Sequence, residues 1–317
     1  MENIADVFVG VDVSKNHLDI ALYPSKKVFR VTNTNQGLKK FAHQLEGFNV
    51  NKIVLEASGG YERLALLRLG ADHVACLVNP KRVRDFRNAK GKRAKTDKID
   101  ACLIAEFAAS ECSSDLVPFV FDNVQLYDLF KRKQQLKAGL EREKRRFKQA
   151  QDKLIKSDIQ AVMKFVKARI KKIDVELNTI IEADEQLHAR KKIVESMPGV
   201  GHETAQAIVA GLPEAGTVEG KTIASLAGLA PYTNESGLHV GKARIRHGRS
   251  EPRKLLYMAA TVAIRCNPRY KAFYDRLKER GKPFKVAIVA VMRKMLVTLN
   301  AMLRKNEMWQ LEPKMTK

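Results

Sequence analysis

The stretch Val7-Phe8-Val9-Gly10-Val11-Asp12-Val13 has the composition of a buried strand, with one acid, Asp12, among β-branched and aromatic residues. A carboxylate on a core strand loses its hydration, so it needs a cation, a hydrogen-bonded partner or a bound metal. A metal becomes the better interpretation only if further acids reach the same place. The chemistry of this strand therefore depends on which acids the fold brings to Asp12.

Three other acids are placed so that they can converge on Asp12. Glu56 follows the apolar run 52–55 and stands where that strand gives way to a Ser-Gly-Gly loop. Asp97 and Asp100 are three residues apart at the start of an apolar-periodic helix, which puts both on one face roughly 5–6 Å apart. Two strands and one helix turn thus supply four oxygen donors.

Each of these acids also has an ordinary structural explanation. Asp12 would form the bend after its strand, and Glu56 would be a solvated residue at a strand end. Asp97 would be a helix cap and Asp100 a surface acid of the first helical turn. Together and in this order, however, the four acids favour a metal site.

The net charge indicates a polyanionic partner. The 317 residues include 58 Lys and Arg against 35 Asp and Glu, a formal net charge of +23. Nucleic acid fits this charge better than membrane lipid, although a generally basic soluble protein would carry it too. With 45% hydrophobic residues, the chain is long enough for two or three domains.

The cysteines and the apolar runs bear on the compartment. Cys76, Cys102, Cys112 and Cys266 form no Cys-x-x-Cys pair, which fits a reducing compartment and disfavours a zinc site. The N-terminus lacks the basic and apolar regions of a signal peptide, and two cations follow the apolar run that ends at Met292. We expect a cytoplasmic protein without a membrane partner.

Residues 1–115 predict an α/β domain with a mixed sheet. Strand-like patterns at 7–13, 18–23 and 27–32 open a meander, and helical and strand patterns then alternate as far as Pro80. Three antiparallel strands followed by βαβ units, with acids on the first strand, the fourth strand and a late helix, is the layout of RNase H-like nucleases. Such a layout calls for two divalent ions roughly 3.5–4 Å apart in phosphoryl transfer.

A strongly basic segment separates Pro80 from Asp97, and Asp85 is its only acid. We expect a long cationic loop that holds a phosphate backbone over the metal ligands, the alternative being a solvated loop. The predicted nucleic-acid contacts of this segment are Lys81, Arg82, Arg84, Arg87, Lys92, Arg93 and Lys95.

Residues 116–192 predict a helical stalk. Apolar residues from Leu126 to Leu187 fall near heptad spacing, and no proline interrupts the stretch. Ser157 and Gln160 have the spacing of a capping box, which indicates a second helix starting there and a helical hairpin, with one kinked helix as the alternative. A coiled-coil stalk of this kind usually joins subunits.

Residues 193–317 predict a mainly helical domain that begins with a helix-hairpin-helix. The sequence Met-Pro-Gly-Val-Gly at 197–201 lies between helical patterns. In a helix-hairpin-helix, glycines such as Gly199 and Gly201 let backbone N–H groups approach a phosphate. An ordinary glycine-rich connection is the alternative. Two closing helices are predicted around 255–264 and 285–303.

Ser236 stands out among the serines of this last region. It precedes Gly237 in a loop that Pro231 bounds, whereas Ser225 lies in a helix-like run and Ser250 has the position of a helix N-cap. A loop serine is usually only a turn residue, and a serine hydroxyl needs a base or a metal before it attacks. The cations that follow, and that would steady a phosphate, are Arg244, Arg246 and Arg249.

The motifs together resemble one family. They are Gly-Val-Asp-Val-Ser-Lys from residue 10, Leu-Glu-Ala-Ser-Gly-Gly-Tyr from 55, Lys-Thr-Asp-Lys-Ile-Asp-Ala from 95, Met-Pro-Gly-Val-Gly from 197, Gly-Leu-Ala-Pro from 228 with Ser-Gly at 236, and Leu-Tyr-Met-Ala-Ala from 256. In this order and spacing they resemble the DEDD insertion-sequence transposases. These transposases are relatives of the pilin-gene invertase and are also called bridge-RNA-guided serine recombinases. The match covers nearly the whole chain.

The resemblance implies an N-terminal RuvC-like domain over 1–115, a coiled-coil dimerisation stalk over 116–192 and a C-terminal transposase domain over 193–317. It implies a metal-binding tetrad on Asp12, Glu56, Asp97 and Asp100 and a serine nucleophile at Ser236. Mg²⁺ is the expected ion, with two ions bound, because four carboxylates and phosphate oxygens are hard ligands. It also implies a homodimer or homotetramer that recombines donor and target DNA under a structured noncoding bridge RNA, in the nucleoid of a bacterial cytoplasm.

Two other classes of function remain open. One is a metal-dependent endonuclease resembling a junction resolvase, in which water replaces Ser236 as the nucleophile and no covalent adduct forms. The other is a non-catalytic nucleic-acid-binding protein on a decayed nuclease fold, and the intact set of four acids argues against it.

Overall fold

A computed structural model describes residues 6–91, 96–119, 124–232, 235–236, 239–240 and 243–310, with the backbone alone at 235–236 and 239–240. The chain divides into two compact units, Met1–Phe121 and Asp122–Lys317. Of the stalk residues that the structure describes, 124–192 belong to the second unit, whereas 116–119 belong to the first, where Leu116 and Phe119 pack. The division into three domains at 115 and 192 stays a prediction.

A five-stranded mixed sheet in the order β3-β2-β1-β4-β5 forms the centre of the first unit. The strands are β1 Asp6–Val13, β2 His17–Tyr23, β3 Val28–Thr32, β4 Asn49–Glu56 and β5 Ala75–Val78. Strand β2 is antiparallel to β1 and β3, whereas β4 is parallel to β1 and β5. The predicted mixed sheet, a meander followed by parallel strands, is confirmed.

Helices cover both faces of this sheet because successive strand residues point to opposite sides. The helices are α1 Asn35–Leu45, α2 Arg63–Leu69, α3 Pro80–Ala89 and α4 Asp97–Ala109, with a short 3-10 helix at Glu111–Ser113. Val9 and Val11 bury one face against Phe41 of α1 and Leu66 of α2. Val54 faces the other way and packs with α3 and α4.

Helix α4 lies directly on the backbone of β1 at Gly10. A Cβ atom on Gly10 would stand 2.1 Å from the backbone nitrogen of Ala105 and 2.4 Å from the carbonyl oxygen of Ala101. Ala21 of the neighbouring strand belongs to the same small-residue cluster. Only residues without bulk on both surfaces permit this approach, so the sequence at these positions fixes where α4 crosses the sheet.

The long cationic loop predicted after Pro80 is wrong for residues 80–89, which form α3. Asn79 caps this helix, since its side-chain oxygen accepts a hydrogen bond from the backbone N–H of Lys81 at 2.9 Å, and Pro80 takes the first helical position. Val83 is buried, and the ring of Phe86 meets that of Phe107 edge to face at 5.5 Å. Two apolar residues among so many charges gave too weak a helical period to detect.

The second unit is mainly helical, as predicted. Its helices are α5 Val124–Gln149, α6 Lys153–Ala183, α7 Glu185–Glu195, α8 His202–Gly211, α9 Gly220–Leu226, α10 Ser250–Cys266, α11 Pro268–Glu279 and α12 Phe284–Lys305. Four two-residue strands, β6 Pro231–Tyr232, β7 Glu235–Ser236, β8 His239–Val240 and β9 Arg244–Ile245, form two short ladders between α9 and α10. Helices α7 to α12 share one apolar core.

Helices α5 and α6 form a hairpin, which settles the choice between a hairpin and one kinked helix. The start of α6 differs from the prediction: Asp152 caps it, accepting hydrogen bonds from Leu154 N–H at 2.8 Å and Ile155 N–H at 3.0 Å. Ser157 therefore lies inside the helix. Asp152 has no glutamate or glutamine three residues later, so its capping role carried no box signature.

A buried cation joins the two stalk helices at their base. Lys133 of α5 is 2% exposed; its ammonium pairs with Asp174 of α6 and donates to the side-chain oxygen of Gln206 in α8 at 2.7 Å. The amide of Gln206 also donates to Asp174 at 3.1 Å. These bonds replace the hydration that the buried charge loses.

Helix α12 is long and apolar enough to cross a membrane by length and composition alone. Its residues Ile288, Val291 and Leu299 are fully buried within the second unit. Its apolar composition thus serves a protein core.

The contact at Gly10 predicts the effect of a single methyl group. Gly10→Ala should lower the free energy of unfolding by about 1–3 kcal/mol, the usual cost of overpacking, because the backbone of α4 must move. Chemical denaturation measures this. Gly139→Ala in α5 is the control, since its new methyl group meets only an Arg142 side chain at 4.0 Å. Equal stability of Gly10→Ala and the wild type would contradict the close approach.

Candidate active site

Two of the predicted acids lie at the carboxyl ends of adjacent parallel strands. Val11 of β1 pairs with Leu55 of β4, and Asp12 and Glu56 each follow by one residue. Side chains alternate along a strand, so Asp12 shares the face of Gly10, and Glu56 shares that of Val54. Both acids therefore belong to the sheet face that α4 covers.

The other two acids begin α4. The side-chain oxygen of Thr96 accepts a hydrogen bond from the backbone N–H of Ile99 at 3.3 Å and so fixes the start of the helix. The side chain of Asp97 is 68% exposed, whereas that of Asp100 is 12% exposed. Asp100 precedes Ala101, which touches Gly10, so the helix turn with both acids stands next to the end of β1.

The electrostatics of Asp12 record this convergence. The pKa of Asp12 is raised from 3.8 to about 6, first by burial and then by the nearby charges of Asp100, Asp97 and Asp19. Asp12, Asp97 and Asp100 thus lie close together, and a positive charge among them would relieve their mutual repulsion.

Asp19 is an acid of this cluster that the sequence interpretation missed. It pairs with Asp12 across β1 and β2 and is 4% exposed. Arg30 of β3 grips it with two hydrogen bonds, Nε to Oδ1 at 2.9 Å and Nη2 to Oδ2 at 2.8 Å. A signal existed: like Asp12, Asp19 is an acid in an apolar alternating strand.

Arginines neutralise both helix acids in this structure. Nη2 of Arg30 also donates to Oδ2 of Asp97 at 3.0 Å, and Arg87 of α3 pairs with Asp100. Across the parts of the chain that the structure describes, no three His, Cys, Asp or Glu side chains are close enough to hold a metal as they stand.

The donor set nevertheless fits a divalent ion. Carboxylate oxygens are the hard ligands that Mg²⁺ prefers, and Asp12 lies among carboxylates that raise its pKa. The side chain of Asp97 is 68% exposed, so it has room to change rotamer and leave Arg30.

Two side chains organise the loops beside these acids. The side-chain amide of Asn33 donates to the carbonyl oxygens of Ser14 at 3.1 Å and Tyr61 at 2.9 Å, which ties the loop after β1 to the loop after β4. The carboxylate of Glu62 accepts from Ser58 N–H at 3.0 Å and Gly60 N–H at 2.9 Å. Burial alone would raise the pKa of Glu62, but these bonds outweigh it and lower the pKa.

Most predicted phosphate contacts of α3 already have protein partners. Lys81 pairs with Asp85 at 2.5 Å, and Arg82 pairs with Asp115 at 2.6 Å. Arg84 is exposed to solvent. Arg87 is held by Asp100, as described above. The remaining predicted contacts, Lys92, Arg93 and Lys95, lie outside the described residues.

The two glycines of the predicted hairpin motif differ in role. Gly199 has φ +98°, and a Cβ atom there would stand 2.7 Å from Ala263, so this glycine permits α10 to pack closely. A Cβ atom on Gly201, which precedes α8, would meet no atom within 4 Å. Only Gly201 leaves open space of the kind that a phosphate needs.

Ser236 lies in β7 and pairs with His239 of β8. The ends of the segment around it are joined by the β6–β9 ladder, in which Tyr232 pairs with Arg244. Below that ladder Gly228 and Gly248 pack backbone on backbone, since a Cβ atom on Gly248 would lie 2.1 Å from the nitrogen of Gly228. The described residues on either side of Ser236 are thus joined by the β6–β9 ladder and by the close packing of Gly228 against Gly248.

The three arginines that follow Ser236 are not equivalent. Arg244 and Arg246 are exposed. Arg249 forms two hydrogen bonds of 2.6 Å with Glu214, which is 2% exposed, and donates to the carbonyl oxygen of Gly211 at 3.0 Å. A phosphate contact by Arg249 would break this buried ion pair, so we assign Arg249 a structural role.

Comparison with known proteins identifies relatives of both units. Residues 9–155 match the DEDD model of IS110 elements, described as "Transposase", and residues 191–275 match the model described as "Transposase IS116/IS110/IS902 family". The pilin gene-inverting proteins of Moraxella bovis and Moraxella lacunata are each 28% identical over 315 residues, 96% of this chain and 97% of the relative. The insertion element IS110 43.6 kDa protein of Streptomyces coelicolor is 30% identical over 134 residues, 42% of this chain and 32% of that protein.

These matches correct one expectation. The matching models carry the name DEDD and the description transposase, so the label serine recombinase is wrong. Attack by Ser236 on DNA stays a prediction.

The raised pKa of Asp12 predicts an inverted pH dependence of stability. In metal-free protein Asp12 holds a proton between about pH 4 and 6 that the unfolded chain has released, so stability falls as pH rises through this range. Asp12→Asn should remove this component and be about 1 kcal/mol more stable than the wild type at pH 7.5 in a chelator, allowing for solvent screening.

Urea denaturation at pH 4.5 and 7.5 measures this difference. Asp72→Asn, which alters an exposed acid outside the cluster, should keep the wild-type profile. Parallel profiles for the wild type and Asp12→Asn would contradict the crowding of charge at Asp12.

Arg249 and Arg246 predict opposite effects of one kind of substitution. Arg249→Ala should lower the free energy of unfolding by about 3 kcal/mol, because it leaves Glu214 buried without its partner. Arg246→Ala should leave stability unchanged and lower the log-log salt slope of DNA binding by about 0.7–0.9, one phosphate contact. Thermal unfolding and binding titrations at several salt concentrations test both. Unaltered stability of Arg249→Ala would return this residue to the phosphate-binding candidates.

Proposed function

Because the chain carries both domains of the IS110-family transposases, it is a DNA transposase of the DEDD type, and we propose that it cuts and rejoins DNA strands with the acids of its first unit and Ser236 of its second. The observation that carries the proposal is the convergence of Asp12, Asp97 and Asp100 at the end of β1. A decayed, purely binding protein would have no reason to keep charges whose crowding is unfavourable.

The first unit is proposed to be RNase H-like, of the RuvC type. The strand order, with an antiparallel meander and two parallel strands, and the acids on β1, β4 and the last helix support this fold. The residues that would hold the metal are Asp12, Glu56, Asp97 and Asp100. Two Mg²⁺ ions, when bound, would activate the attacking oxygen and stabilise the leaving oxygen.

Ser236 is proposed as the attacking group. Its Oγ loses a proton and bonds to phosphorus, while the bond from phosphorus to the leaving DNA oxygen breaks and that oxygen gains a proton. A hydroxyl of another DNA end then attacks the phosphoserine and releases Ser236. Because each step exchanges one phosphate ester for another, rejoining needs no external energy source. The close packing of Gly228 against Gly248 holds the two ends of the Ser236 segment together, which supports a role for this segment.

Water is the alternative nucleophile, which would make the chain a metal-dependent, structure-specific endonuclease. The name DEDD of the model that matches residues 9–155 refers to acidic residues and not to a serine, which favours this candidate. The two candidates share the acid cluster and differ only in what attacks the phosphate.

Nucleic acid is proposed to lie along the basic surface. Arg84, Arg244 and Arg246 are exposed, and Gly201 offers open space before α8. Donor and target DNA are the proposed substrates, and a structured bridge RNA is the proposed guide, in a bacterial cytoplasm on the nucleoid. The net charge of +23 suits a protein that holds several phosphate backbones at once.

The stalk is proposed to join subunits as a coiled coil, giving a homodimer or homotetramer. Large apolar side chains near the far end of α6 face solvent: Leu154 is 80% exposed and Phe165 66% exposed, and Ile155 and Val162 accompany them. Exposed apolar residues at helical spacing are typical of a surface that a partner helix covers.

Ser236→Ala separates the two nucleophiles. The serine mechanism predicts loss of cleavage and strand exchange with stability altered by less than about 0.5 kcal/mol. It also predicts a wild-type peptide containing Ser236 covalently bound to a DNA strand after denaturant quenching, detected by mass spectrometry. Asp12→Asn should lose cleavage while it retains DNA binding, because it removes a metal ligand and not a phosphate contact.

Continued cleavage by Ser236→Ala, with no adduct in the wild type, would establish the hydrolytic endonuclease. An adduct on Ser225, Ser250 or a tyrosine would keep the recombination mechanism and refute the residue. Mg²⁺-dependent cleavage by Asp12→Asn at the wild-type rate would refute the metal site.

A further inference from the structure

We infer that Arg30 exchanges Asp97 for a DNA phosphate when a divalent ion binds, so that one guanidinium couples metal binding to substrate binding. The inference rests on the proposed metal site and goes beyond it, because it concerns a residue outside the acidic tetrad. Arg30 would be a positioning residue in the metal-free protein and a phosphate contact in the loaded one.

The guanidinium of Arg30 bonds to one buried acid, Asp19, and to one exposed acid, Asp97. Its Nε and Nη2 donate to the two oxygens of Asp19 at 2.9 and 2.8 Å, and the side chain of Asp19 is 5% exposed. Nη2 donates a second bond, at 3.0 Å, to Asp97, whose side chain is 68% exposed. Loss of Asp97 would therefore leave the guanidinium in place, because the paired bonds to Asp19 hold its plane.

The position that Asp97 would vacate suits a phosphate. A phosphate oxygen and a carboxylate oxygen accept the same kind of charge-assisted bond, and arginine forms such bonds in a fixed fork. The side chain of Arg30 is 49% exposed and bonds to Asp97, whose charge lies near Asp12, so Arg30 borders the place where the scissile phosphate must lie if these acids act on it.

The second arginine at this site differs in a way that selects Arg30 for the exchange. Arg87 and Asp100 are 17% and 12% exposed, so their pair is enclosed by protein. Arg87 contacts Oδ1 of Asp100. No hydrogen bond to Oδ2 is made by the residues that the structure describes, so an ion could bind there without displacing Arg87. Arg87 therefore need not leave, whereas the exposed pair of Arg30 and Asp97 exchanges at little cost.

The exchange has a thermodynamic consequence. Without DNA, Arg30 competes with the metal for Asp97 and weakens metal binding. With DNA, the phosphate occupies Arg30 and releases Asp97, so DNA should strengthen metal binding. By linkage, metal should strengthen DNA binding by the same factor.

Titration of Mg²⁺ into the full-length metal-free protein, followed by calorimetry, tests this. Arg30→Gln should bind Mg²⁺ about threefold to fivefold more tightly than the wild type, because an exposed competitor for Asp97 has gone. The same variant should bind DNA with a log-log salt slope smaller by about 0.7–0.9. Arg68→Gln is the matched control: it removes the same charge from an exposed position of α2, so its Mg²⁺ affinity and its DNA salt slope should equal those of the wild type.

Arg30→Gln leaves the buried Asp19 without a partner, so a second variant guards against misfolding. Asp19→Asn/Arg30→Gln replaces the buried pair by two neutral amides and releases Asp97 in the same way. Because it also removes the negative charge of Asp19 near Asp12, it should show a smaller gain in Mg²⁺ affinity than Arg30→Gln. Unchanged or weaker Mg²⁺ binding in both variants, with wild-type binding measurable, would overturn the role of Arg30. No Mg²⁺ binding by the wild type would overturn the proposed metal site, and this inference with it.

Discussion

The contact of α4 with the backbone of Gly10 is the constraint on which the first unit depends. Strands β1 and β4 bring Asp12 and Glu56 to one edge of the sheet, but the helix acids reach that edge only if α4 lies close. Gly10 makes this possible, because a side chain there would collide with the backbone of Ala101 and Ala105. Small residues thus decide the distance between charged ones.

Much of the first unit could be predicted because its strands alternate cleanly and its acids stand at strand ends and at a helix start. The Asp19–Arg30 pair could not, since its meaning depends on register: Asp19 lies opposite both Asp12 and Arg30. A register is a property of two strands, and the sequence of one strand does not contain it. Helix α3 was missed because only two of its residues, Val83 and Phe86, are apolar and large, which is too few to reveal a helical period among its charges.

In the second unit, helices were predictable and the roles of individual side chains were not. Arg246 and Arg249 have the same chemistry and nearly the same neighbours in sequence, yet one is exposed and the other pairs with Glu214, 35 residues away. Gly199 likewise serves packing against Ala263, a distant residue. Residue type predicts what a side chain can bind, and only the fold determines what it already binds.

The buried ammonium of Lys133 fixes the register of the two helices in the α5–α6 hairpin. Apolar heptads alone tolerate a slip of one repeat, because one leucine replaces another. Lys133 tolerates none, since its acceptors Asp174 and Gln206 occupy one level of the structure. From that level to the end of α5 at Gln149 the helix rises about 24 Å. A partner that binds the far end of the hairpin is therefore held at a fixed distance from Lys133. Insertion or deletion of one heptad would change that distance by about 10 Å.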